Sequence, residues 1–568
     1  MSRMIDLQMH IIPDVDDGAE SLDISEQMLR MAIEQGVEVV FATSHSFAHK
    51  KYTEHTRVQY RKLQKLMKEK GLPVEIYLGC EVFLDPDHID QTLKDLEIGR
   101  LPSLNMTKYV LVELYDIKGD SLFDVIGKLV NHGWKPVIAH AERISGLSID
   151  MAEKLKSMGC LLQMNAYSVG GEENDTIKNR ALELLDHKLI DFVGSDAHGI
   201  NHRPPNVKDG IDFLYENYGT EYVESILYHN AYNLLLKKEE PEDVLPSNLW
   251  LDGMIGLVVG DALGMPVQFL SRADVKSAPI FTMDGFGTYD MPVGAWSDDG
   301  SMAIATLDSI LNNTGIDYDD IMKSFYDWTV NGKYTPTGKA FDQGNTCMEA
   351  IINYARERDF KSCGKIGEYV NGNGALMRIM PVCLYSYVQY KNGEVSLEEV
   401  LEYIHQATAL THNHLRARIA SGIYFFMIKS ILDEKGNITD RLQLGIEEAK
   451  RFYNSHLINM LEWRHFLRME NLNEFAKMEE KDIHSSGYVI DSLEAAVWSL
   501  ITTKSLEEGL LRAVNLGDDT DTVGAIAGGL AALYYGYHSI PENWRSAIIK
   551  RDEIIKMCMR AQEEFYVR

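Results

Sequence analysis

Metal-binding chemistry is indicated near the start of the sequence, in the stretch MIDLQMHIIPDVDDG. An apolar run there gives way to Gln8, His10, Asp14, Asp16 and Asp17. Imidazole nitrogens and carboxylate oxygens at such close spacing are donors that divalent transition metals bind. Gln8 stands where a second histidine would be expected, and its neutral amide is a weaker ligand. The stretch therefore predicts either a working metal centre or the remains of one.

The rest of the first half repeats this arrangement, because short apolar runs end in a polar residue at a regular interval. Helical apolar patterns separate the runs, as Ile24, Met28 and Ala32 do in the first gap. Strand–helix units of about 30 residues predict parallel β/α construction. The run ends are His10, His45, Glu81, Glu113, His140, Asn165 and Asp196, with His198 just beyond the last.

Seven such units fit an α/β barrel, whose chemistry lies at the carboxyl ends of its strands. A single histidine or aspartate at a strand end is usually only a hydrogen-bonded turn residue. Six ends that carry His, Asp or Glu indicate a shared site instead. Imidazoles with carboxylates suit zinc, manganese or iron, and shared carboxylates are typical of a cluster with several metal ions.

The ordered motifs DLQMHIIPDVDDG, ATSH, GCE, VE, AHAER and GSDAHGINHRPP resemble the polymerase-and-histidinol-phosphatase (PHP) superfamily over residues 1–240. The likeness is greatest to its bacterial capsule-type protein-tyrosine phosphatases. The resemblance implies a distorted (β/α)7 PHP barrel, whose two or three Mn2+, Zn2+ or Fe ions activate a hydroxide against a phosphate ester such as phosphotyrosine. Its implied ligands are Gln8, His10, Glu81 and Asp196 for site one, Glu81, Glu113 and His140 for site two, and Asp17, His45 and His198 for site three.

Two arginines and one glutamine decide what this domain is expected to do. Arg143 and Arg203 match arginines that clamp the phosphate, a role that suits a guanidinium fork, although a surface ion pair is the alternative for either. Among the implied metal ligands only Gln8 departs from the family pattern, and its amide oxygen can still ligate. An active but altered centre is therefore one hypothesis, and an inactive scaffold that keeps the pocket is the other.

The second half carries two acidic clusters, each of which joins carboxylates to a hydroxyl at a predicted helix start. Such acids are often only helix caps. Two clusters together, however, supply the hard oxygen ligands that magnesium prefers. Their members are Ser297, Asp298 and Asp299 in AWSDDGSMAIATL, and Asp519, Asp521 and Thr522 in NLGDDTDTVGAIAGG.

These clusters belong to a second set of motifs, which resembles the ADP-ribosylglycohydrolases over residues 249–568. The set comprises GLVVGDALGMPVQF, AWSDDGSM, NGNGALMRIMP, ALTHNH, SSGYVIDSLEAAVWSL and VNLGDDTDTVGAIAGG. The resemblance implies an all-α fold, with two Mg2+ ions held by the six cluster residues. The implied reaction is hydrolysis of the N- or O-glycosidic bond between ADP-ribose and an acceptor, with the metals on the distal ribose hydroxyls and a water.

The same resemblance implies roles for individual residues. Asp298 or Asp299 would orient or deprotonate the attacking water. Asn373, Gly374 and His412 match positions that contact the nucleotide, although a satisfied core histidine is the alternative for His412. This sequence departs from the family pattern at Gln268 (usually glutamate), Gly300 (usually threonine) and Asp518 (usually glycine). The activity is still expected, because all six implied ligands are present, but the acceptor stays open.

Composition limits the cellular setting. The net charge of −29 argues against unspecific binding to nucleic acid or to an anionic membrane. Six scattered cysteines and no visible secretion signal predict a reduced, cytoplasmic protein. The charged stretch Leu234–Asn248 predicts a linker between domains. The uncharged run Thr522–Ile540 is more typical of a packed core helix than of a membrane span.

Together these features predict a cytoplasmic, metal-dependent, bifunctional hydrolase. Its expected domains are a PHP phosphoesterase in residues 1–240 and an ADP-ribosylglycohydrolase in residues 249–568. The expected partners are ADP-ribosylated and phosphorylated substrates, with ADP-ribose carried by a protein side chain, a small molecule or a nucleic acid. The alternative is a weakly catalytic reader of such partners with an inactive PHP scaffold. The amount of bound metal distinguishes the hydrolase from the reader, because a reader need not contain two occupied metal clusters.

Overall fold

The chain forms two compact units, Met1–Asp243 and Val244–Arg568, and each has its own buried apolar core. The computed structural model describes residues 3–46, 53–114, 120–171, 173–237, 245–455 and 457–568. Residues 238–244 of the predicted linker lie outside the described residues. The two units are termed unit 1 and unit 2 below.

Unit 1 alternates parallel strands with helices, so the predicted β/α construction is confirmed. Its strands are β1 (Met4–Met9), β2 (Val37–Ala42), β3 (Glu75–Leu78), β4 (Glu81–Phe83), β5 (Tyr109–Glu113), β6 (Lys135–Ile138), β7 (Leu161–Asn165) and β8 (Phe192–Gly194). Its helices are α1 (Leu22–Glu34), α2 (Glu54–Lys70), α3 (Ile89–Glu97), α4 (Asp120–Asn131), α5 (Ile149–Ser157), α6 (Tyr167–Gly170), α7 (Asp175–Asp186), α8 (Lys208–Asn217) and α9 (Thr220–Glu224). Two π-helical turns, Ser225–His229 and Tyr232–Leu236, follow α9.

The strands pair in two sheets, in the orders β1-β2-β3 and β4-β5-β6-β7-β8. The third predicted strand is divided, so Glu81 opens β4 instead of ending a strand. The division follows Gly79, where a Cβ would lie 2.9 Å from the Leu104 side chain. Parallel bridges join Met9 to Ala197 and His45 to Glu81, which brings the sheet ends together. Within the described residues the eight strands pair in two ladders, so the single distorted (β/α)7 barrel expected from the sequence is not confirmed.

The space between the strands of unit 1 is filled by apolar side chains, whereas polar side chains lie at the carboxyl ends of the strands. Alternate residues of a strand face the same side of a sheet. Leu7 of β1, Phe41 of β2 and Leu111 of β5 meet in one buried cluster. Leu235, from the second π-helical turn, packs into the same cluster. The chain beyond α9 thus completes the interior of unit 1.

Unit 2 is helical, as predicted, and no strand occurs in its described residues. Its first helices are α10 (Leu249–Gly264), α11 (Arg272–Ser277), α12 (Asp298–Asn313), α13 (Tyr318–Asn331), α14 (Asn345–Glu357), α15 (Phe360–Cys363), α16 (Met380–Lys391), α17 (Leu397–Ala409) and α18 (Leu415–Asp433). The others are α19 (Ile438–Tyr453), α20 (Leu457–Trp463), α21 (Leu472–Phe475), α22 (Val489–Ile501), α23 (Leu506–Val514), α24 (Thr520–Tyr535), α25 (Glu542–Ala547) and α26 (Arg551–Glu564).

Helices α10 and α24 touch through their backbones along a row of glycines, which we term the glycine seam. Its members are Gly256, Gly260 and Gly264 of α10 and Gly524 and Gly528 of α24. A Cβ on Gly260 would lie 1.9 Å from the Gly524 carbonyl oxygen. A Cβ on Gly264 would lie 2.3 Å from the Thr520 carbonyl oxygen. The seam therefore fixes the start of α24 against the end of α10.

Both helices of the seam lie inside the unit. Residues Thr520 to Leu533 of α24 are buried, in agreement with the core helix expected for this run. Among the described residues, one helical stretch, Leu249–Val267, has the length and apolar composition to cross a membrane. The whole apolar window of that stretch is buried inside the unit.

The glycine seam predicts a stability effect that a single methyl group can test. We expect Gly260→Ala to lower the free energy of unfolding of unit 2 by about 3 kcal/mol, because the methyl group meets backbone atoms that cannot rotate away. Urea unfolding followed by tryptophan fluorescence measures the change. Gly344→Ala is the matched control, since nothing lies within 4 Å of its Cβ position. Equal loss of stability in both variants would contradict the seam.

Candidate metal centres

The predicted ligands of unit 1 meet around the carboxylate of Glu81. His10 Nε2 lies 3.2 Å from Glu81 Oε2 and 3.5 Å from Asp196 Oδ1. His140 Nε2 lies 2.8 Å from the other oxygen, Glu81 Oε1. One carboxylate thus lies between two imidazoles from different strand ends. This arrangement suits a ligand shared by two metal sites.

The side chains assigned to site three also meet, around Asp17. Asp17 Oδ1 lies 3.5 Å from His45 Nε2 and 3.8 Å from His198 Nε2. The second nitrogen of His45, Nδ1, lies 3.1 Å from Glu81 Oε2, so His45 connects this group with the Glu81 group. In two groups of residues, one donor atom from each member lies within 4.8 Å of the others. The groups are His10, Asp17, His45 and His198, and His45, Glu81 and Glu113.

Charge is concentrated in this cluster, and its pKa values reflect that. Burial raises the pKa of Glu113 to about 7, and the Glu81 carboxylate adds to the increase. Burial alone would lower the pKa of His140, but its hydrogen bond to Glu81 and the charge of Glu81 raise it to about 9. An upward shift of both an acid and a base indicates a site with excess negative charge, which divalent cations would neutralise.

Gln8 lies buried beside this cluster with its amide unused. Neither Oε1 nor Nε2 of Gln8 makes a hydrogen bond within the described part of the chain. Its backbone is held firmly, since the carbonyl oxygen accepts the N–H of Asp196 at 2.8 Å. Gly194 gives the side chain room, because a Cβ there would lie 3.2 Å from Gln8 Cβ. A buried carbonyl oxygen without a partner fits a neutral metal ligand.

Asp16 orients the imidazole of His10 and holds the backbone of His45, a role that the sequence did not reveal. Its Oδ2 lies 2.9 Å from His10 Nδ1 and accepts the backbone N–H of His45 at 3.0 Å. Metal-binding histidines usually carry such a partner on the second ring nitrogen. The sequence offered three neighbouring aspartates here, and only the structure distinguishes Asp16 from Asp17.

A chain of amides on β7 connects His140 with Asp196. The Gln163 Oε1 accepts the backbone N–H of His140 at 2.5 Å. Gln163 Nε2 donates to Asn165 Oδ1 at 3.0 Å, and Asn165 Nδ2 donates to Asp196 Oδ2 at 2.9 Å. Sequence analysis noted Asn165 only as a strand end and missed Gln163. The two-residue spacing on a strand was the signal that could have found it.

The two predicted phosphate-clamping arginines differ in their surroundings. Arg203 forms an ion pair with Asp196, and its Nη1 lies 3.2 Å from His198 Nε2. Arg203 therefore lies within the cluster. Arg143 is bound to the carboxylate of Glu173, which is the ion-pair alternative considered for it.

In unit 2 the two predicted acidic clusters are joined at Asp299. Ser297 caps α12, and its hydroxyl donates to Asp299 Oδ2 at 2.9 Å. The hydroxyl of Thr522, from the first turn of α24, lies 3.4 Å from the same oxygen. The starts of two helices, 223 residues apart in the sequence, thus share one carboxylate.

Asp261 holds this arrangement in place and was missed by sequence analysis. It lies on α10, and its carboxylate accepts the backbone N–H of Ser297 at 2.9 Å and that of Gly300 at 2.8 Å. Its oxygens also lie within 4.8 Å of those of Asp299 and Asp521. The same crowding explains Gly300, since a Cβ there would lie 2.7 Å from the indole of Trp296. The motif GDALG was the available signal for Asp261.

The buried carboxylates of unit 2 form a group with excess negative charge. Burial raises the pKa values of Asp298, Asp299 and Asp521 well above the usual range, and neighbouring carboxylates raise them further. Asp299 Oδ1 and Asp521 Oδ2 are buried and make no hydrogen bond within the described residues. Buried carboxylates of this kind are stable when they are paired or bind a metal. The donor set, oxygen throughout, fits magnesium.

A cavity of about 200 Å³ opens beside these acids. Asn373, Gly374 and His412, the predicted nucleotide contacts, all line it. Asn373 Nδ2 donates to Asp519 Oδ2 at 2.7 Å, which links the nucleotide positions to the acidic cluster. The structure therefore brings the predicted ligands and the predicted pocket residues of unit 2 to one place.

Gln268 and Asp342 form one wall of this cavity. Gln268 Nε2 donates to Asp342 Oδ2 at 2.8 Å and lies 3.4 Å from Asp519 Oδ1. The hydroxyl of Tyr289 donates to Asp342 Oδ1 at 2.5 Å. Asp342 lies in a loop with no periodic pattern, so it could not be predicted from the sequence. Asp518 has a φ of 63°, a left-handed conformation that favours glycine and that aspartate tolerates.

Known families match the two units separately. The family described as ADP-ribosylglycohydrolase matches residues 248–568, and the family described as capsular polysaccharide synthesis, CpsB/CapC, matches residues 4–236. The ADP-ribosylarginine hydrolase Tri1 of Serratia proteamaculans is 28% identical over 331 residues, 58% of this chain and 82% of that protein. The tyrosine-protein phosphatase CpsB of Streptococcus pneumoniae is 29% identical over 243 residues, 41% of this chain and 98% of that protein. The two-part resemblance read from the motifs is confirmed.

Solved structures match each unit as well. A chain of an ADP-ribosylglycohydrolase-related protein complex is 28% identical, with a TM-score of 0.45. The match covers 56% of this chain and 97% of that one. A structure reported with YwqE from Bacillus subtilis and CpsB from Streptococcus pneumoniae, described as metal-dependent tyrosine phosphatases, is 30% identical. Its TM-score is 0.38, and the match covers 43% of this chain and 100% of that one.

Proposed function

Because the chain belongs to the ADP-ribosylglycohydrolase family through residues 248–568 and to the CpsB/CapC family through residues 4–236, we propose that it is a bifunctional metal-dependent hydrolase. Unit 2 removes ADP-ribose from an acceptor, and unit 1 hydrolyses a phosphate ester. The observation that carries the proposal is that each unit brings predicted ligands of its own family together in one cluster.

In unit 2 the two magnesium ions are held by the residues that meet at the starts of α12 and α24. These residues are Ser297, Asp298, Asp299, Asp519, Asp521 and Thr522. When bound, the ions polarise ribose hydroxyls and lower the pKa of the attacking water. Asp298 lines the cavity, where it orients that water and accepts its proton. Asn373 keeps Asp519 in position through the hydrogen bond at 2.7 Å.

ADP-ribosyl-arginine is the first substrate to test, because the Serratia proteamaculans and Pseudomonas putida relatives are ADP-ribosylarginine hydrolases. Purified protein is incubated with ADP-ribosylated arginine, serine and nucleic-acid acceptors, and free ADP-ribose is measured with magnesium or with EDTA. Release that requires magnesium supports the hydrolase. Tight binding of all three substrates without release would support the reader instead.

In unit 1 the metal ions are held by the histidines and acids around Glu81 and Asp17, and the substrate is a phosphate ester such as phosphotyrosine. When bound, the ions lower the pKa of the attacking water and offset the charge of the phosphate. Arg203 lies within the cluster and binds a phosphate oxygen through its guanidinium. Arg143 does the same once it leaves Glu173. We further propose that the two sheets form the distorted barrel, since bridges join Met9 to Ala197 and His45 to Glu81.

Gln8 provides the test of whether this centre works. We expect Gln8→His to raise the affinity of unit 1 for manganese by about 10- to 100-fold, because imidazole supplies a stronger donor than an amide oxygen. Manganese titration calorimetry and elemental analysis measure the change, and hydrolysis of an aryl phosphate at low manganese should rise with it. Gln27→His, on the exposed side of α1, is the matched control. If the parent and the Gln8→His variant bound no metal, unit 1 would be a scaffold.

A further inference from the structure

Three buried side chains form a hydrogen-bonded row behind the cavity of unit 2. Arg378 Nη2 donates to Thr411 Oγ1 at 2.9 Å, and Thr411 Oγ1 lies 2.9 Å from His412 Nδ1. Arg378 and Thr411 have no exposed surface. His412 is the member of the row that lines the cavity.

The positions of the hydrogens follow from what each group can donate. A guanidinium has only donors, so Thr411 Oγ1 must accept from Arg378. The hydroxyl then has one hydrogen to give, and its available acceptors are His412 Nδ1 and the sulfur of Cys347. Sulfur is a weak acceptor, whereas a neutral imidazole nitrogen is a strong one. The stronger acceptor is preferred, so we assign the hydroxyl hydrogen to Nδ1, which is then unprotonated.

A neutral imidazole that accepts at Nδ1 carries its hydrogen on Nε2. Burial, together with the charge of Arg378, lowers the pKa of His412 to about 3, so the ring stays neutral near pH 7. Two glycines leave space beside Nε2. A Cβ on Gly372 would lie 3.4 Å from this nitrogen, and a Cβ on Gly374 would lie 3.5 Å from it.

The contacts of Arg378 agree with a role in orienting the hydroxyl of Thr411. Its hydrogen bonds go to the Thr411 hydroxyl and, at 3.1 Å, to the carbonyl oxygen of Ala407. The guanidinium lies 4.7 Å from the ring centre of Phe325. Burial of a cation in such apolar surroundings is costly, and no ion pair with a carboxylate offsets the cost among its described contacts.

We propose that Arg378 and Thr411 are positioning residues that fix His412 as a hydrogen-bond donor, through Nε2, to an acceptor atom of ADP-ribose. This inference rests on the proposed function of unit 2, because it takes ADP-ribose as the ligand. In this state His412 binds the nucleotide and cannot act as a general base, since Nδ1 is occupied and Nε2 carries a hydrogen.

Two substitutions at Thr411 test the row in the full-length protein. Valine matches threonine in shape but lacks the hydroxyl, whereas serine keeps it. We expect Thr411→Val to weaken ADP-ribose binding about tenfold and Thr411→Ser to restore it to within about twofold of the parent. Calorimetry with ADP-ribose and magnesium measures both, after the melting temperature of each variant has been compared with the parent. Parental affinity in Thr411→Val would overturn the proposal.

A spectroscopic measurement decides the tautomer without any substrate. In protein labelled with 15N-histidine, the shifts of the two ring nitrogens identify which one carries hydrogen, and loss of a signal in His412→Gln assigns His412. We expect the Nε2–H form in the parent and in Thr411→Ser, and in Thr411→Val a changed 15N shift of Nδ1, which has lost its hydrogen-bond donor. If Nδ1 carries the hydrogen in the parent, the proposed direction of the hydrogen bonds in the row is wrong, even if ADP-ribose binds normally. If the parent bound no ADP-ribose, the proposed function of unit 2 would fail and the ligand assignment with it, whatever the tautomer.

Discussion

Asp298→Asn and Asp521→Asn are each expected to reduce the release of ADP-ribose by at least about a thousandfold. A loss of that size corresponds to about 4 kcal/mol of transition-state stabilisation, which is the order expected for removal of a metal ligand. Asparagine has the shape of aspartate, and the change removes one negative charge from a group of buried carboxylates that repel one another. Unit 2 should therefore stay folded while its activity is lost.

The measurement is turnover of a proven ADP-ribosylated substrate with saturating magnesium. Asp518→Asn is the matched control, because Asp518 lies three residues before Asp521, is exposed and belongs to neither the cavity nor the ligand set. A second readout is the melting temperature, which magnesium should raise more in the parent than in the two ligand variants. Near-parental turnover in both ligand variants would show that the metal centre of unit 2 is wrongly assigned.

His140→Ala is expected to abolish hydrolysis of an aryl phosphate, with a loss of about a thousandfold or more, and to leave release of ADP-ribose unchanged. The imidazole of His140 lies 2.8 Å from Glu81 Oε1, so its loss removes one implied ligand and the imidazole partner of that oxygen. The second activity is unaffected because the acids that support it lie in unit 2. Hydrolysis of p-nitrophenyl phosphate with excess manganese, run beside the ADP-ribose assay, measures both.

His132→Ala is the matched control for this variant. His132 lies in unit 1 and is exposed, and within the described part of the chain its ring nitrogen Nδ1 contacts the carbonyl oxygen of Lys128 at 2.8 Å. The control should keep both activities. Full phosphatase activity in His140→Ala would mean that the cluster around Glu81 is not the site of hydrolysis.

The period of the apolar runs was sufficient to predict parallel strands in unit 1, because each run had the length of a buried strand and ended in a polar residue. It did not predict the break between β3 and β4. That break depends on Leu104, which lies 25 residues beyond Gly79 in the chain and occupies the space that a side chain would need. A contact between distant segments leaves no trace in local periodicity.

The candidate ligands were also readable, because chemistry restricts which residue types can bind a metal. The residues that orient them were harder to find. Asp16, Gln163 and Asp261 act through hydrogen bonds to particular backbone or ring nitrogens, and a sequence pattern reports the face of an element but not the atom that is contacted. Asp342 reaches its place through a loop in a left-handed conformation, with a φ of 51°, for which no repeating pattern exists.

The glycine seam has a consequence for how substrate enters and product leaves unit 2. Since α10 and α24 touch backbone to backbone, neither helix can approach the other, and separation would break the contact that positions Asp521. We therefore expect the start of α24, which carries Asp521 and Thr522, to keep its position during turnover. Opening and closing are expected to come from the rim, where Gln268 and Asp342 line the cavity and lie outside the helices. Turnover limited by product release would then respond to substitutions in the rim.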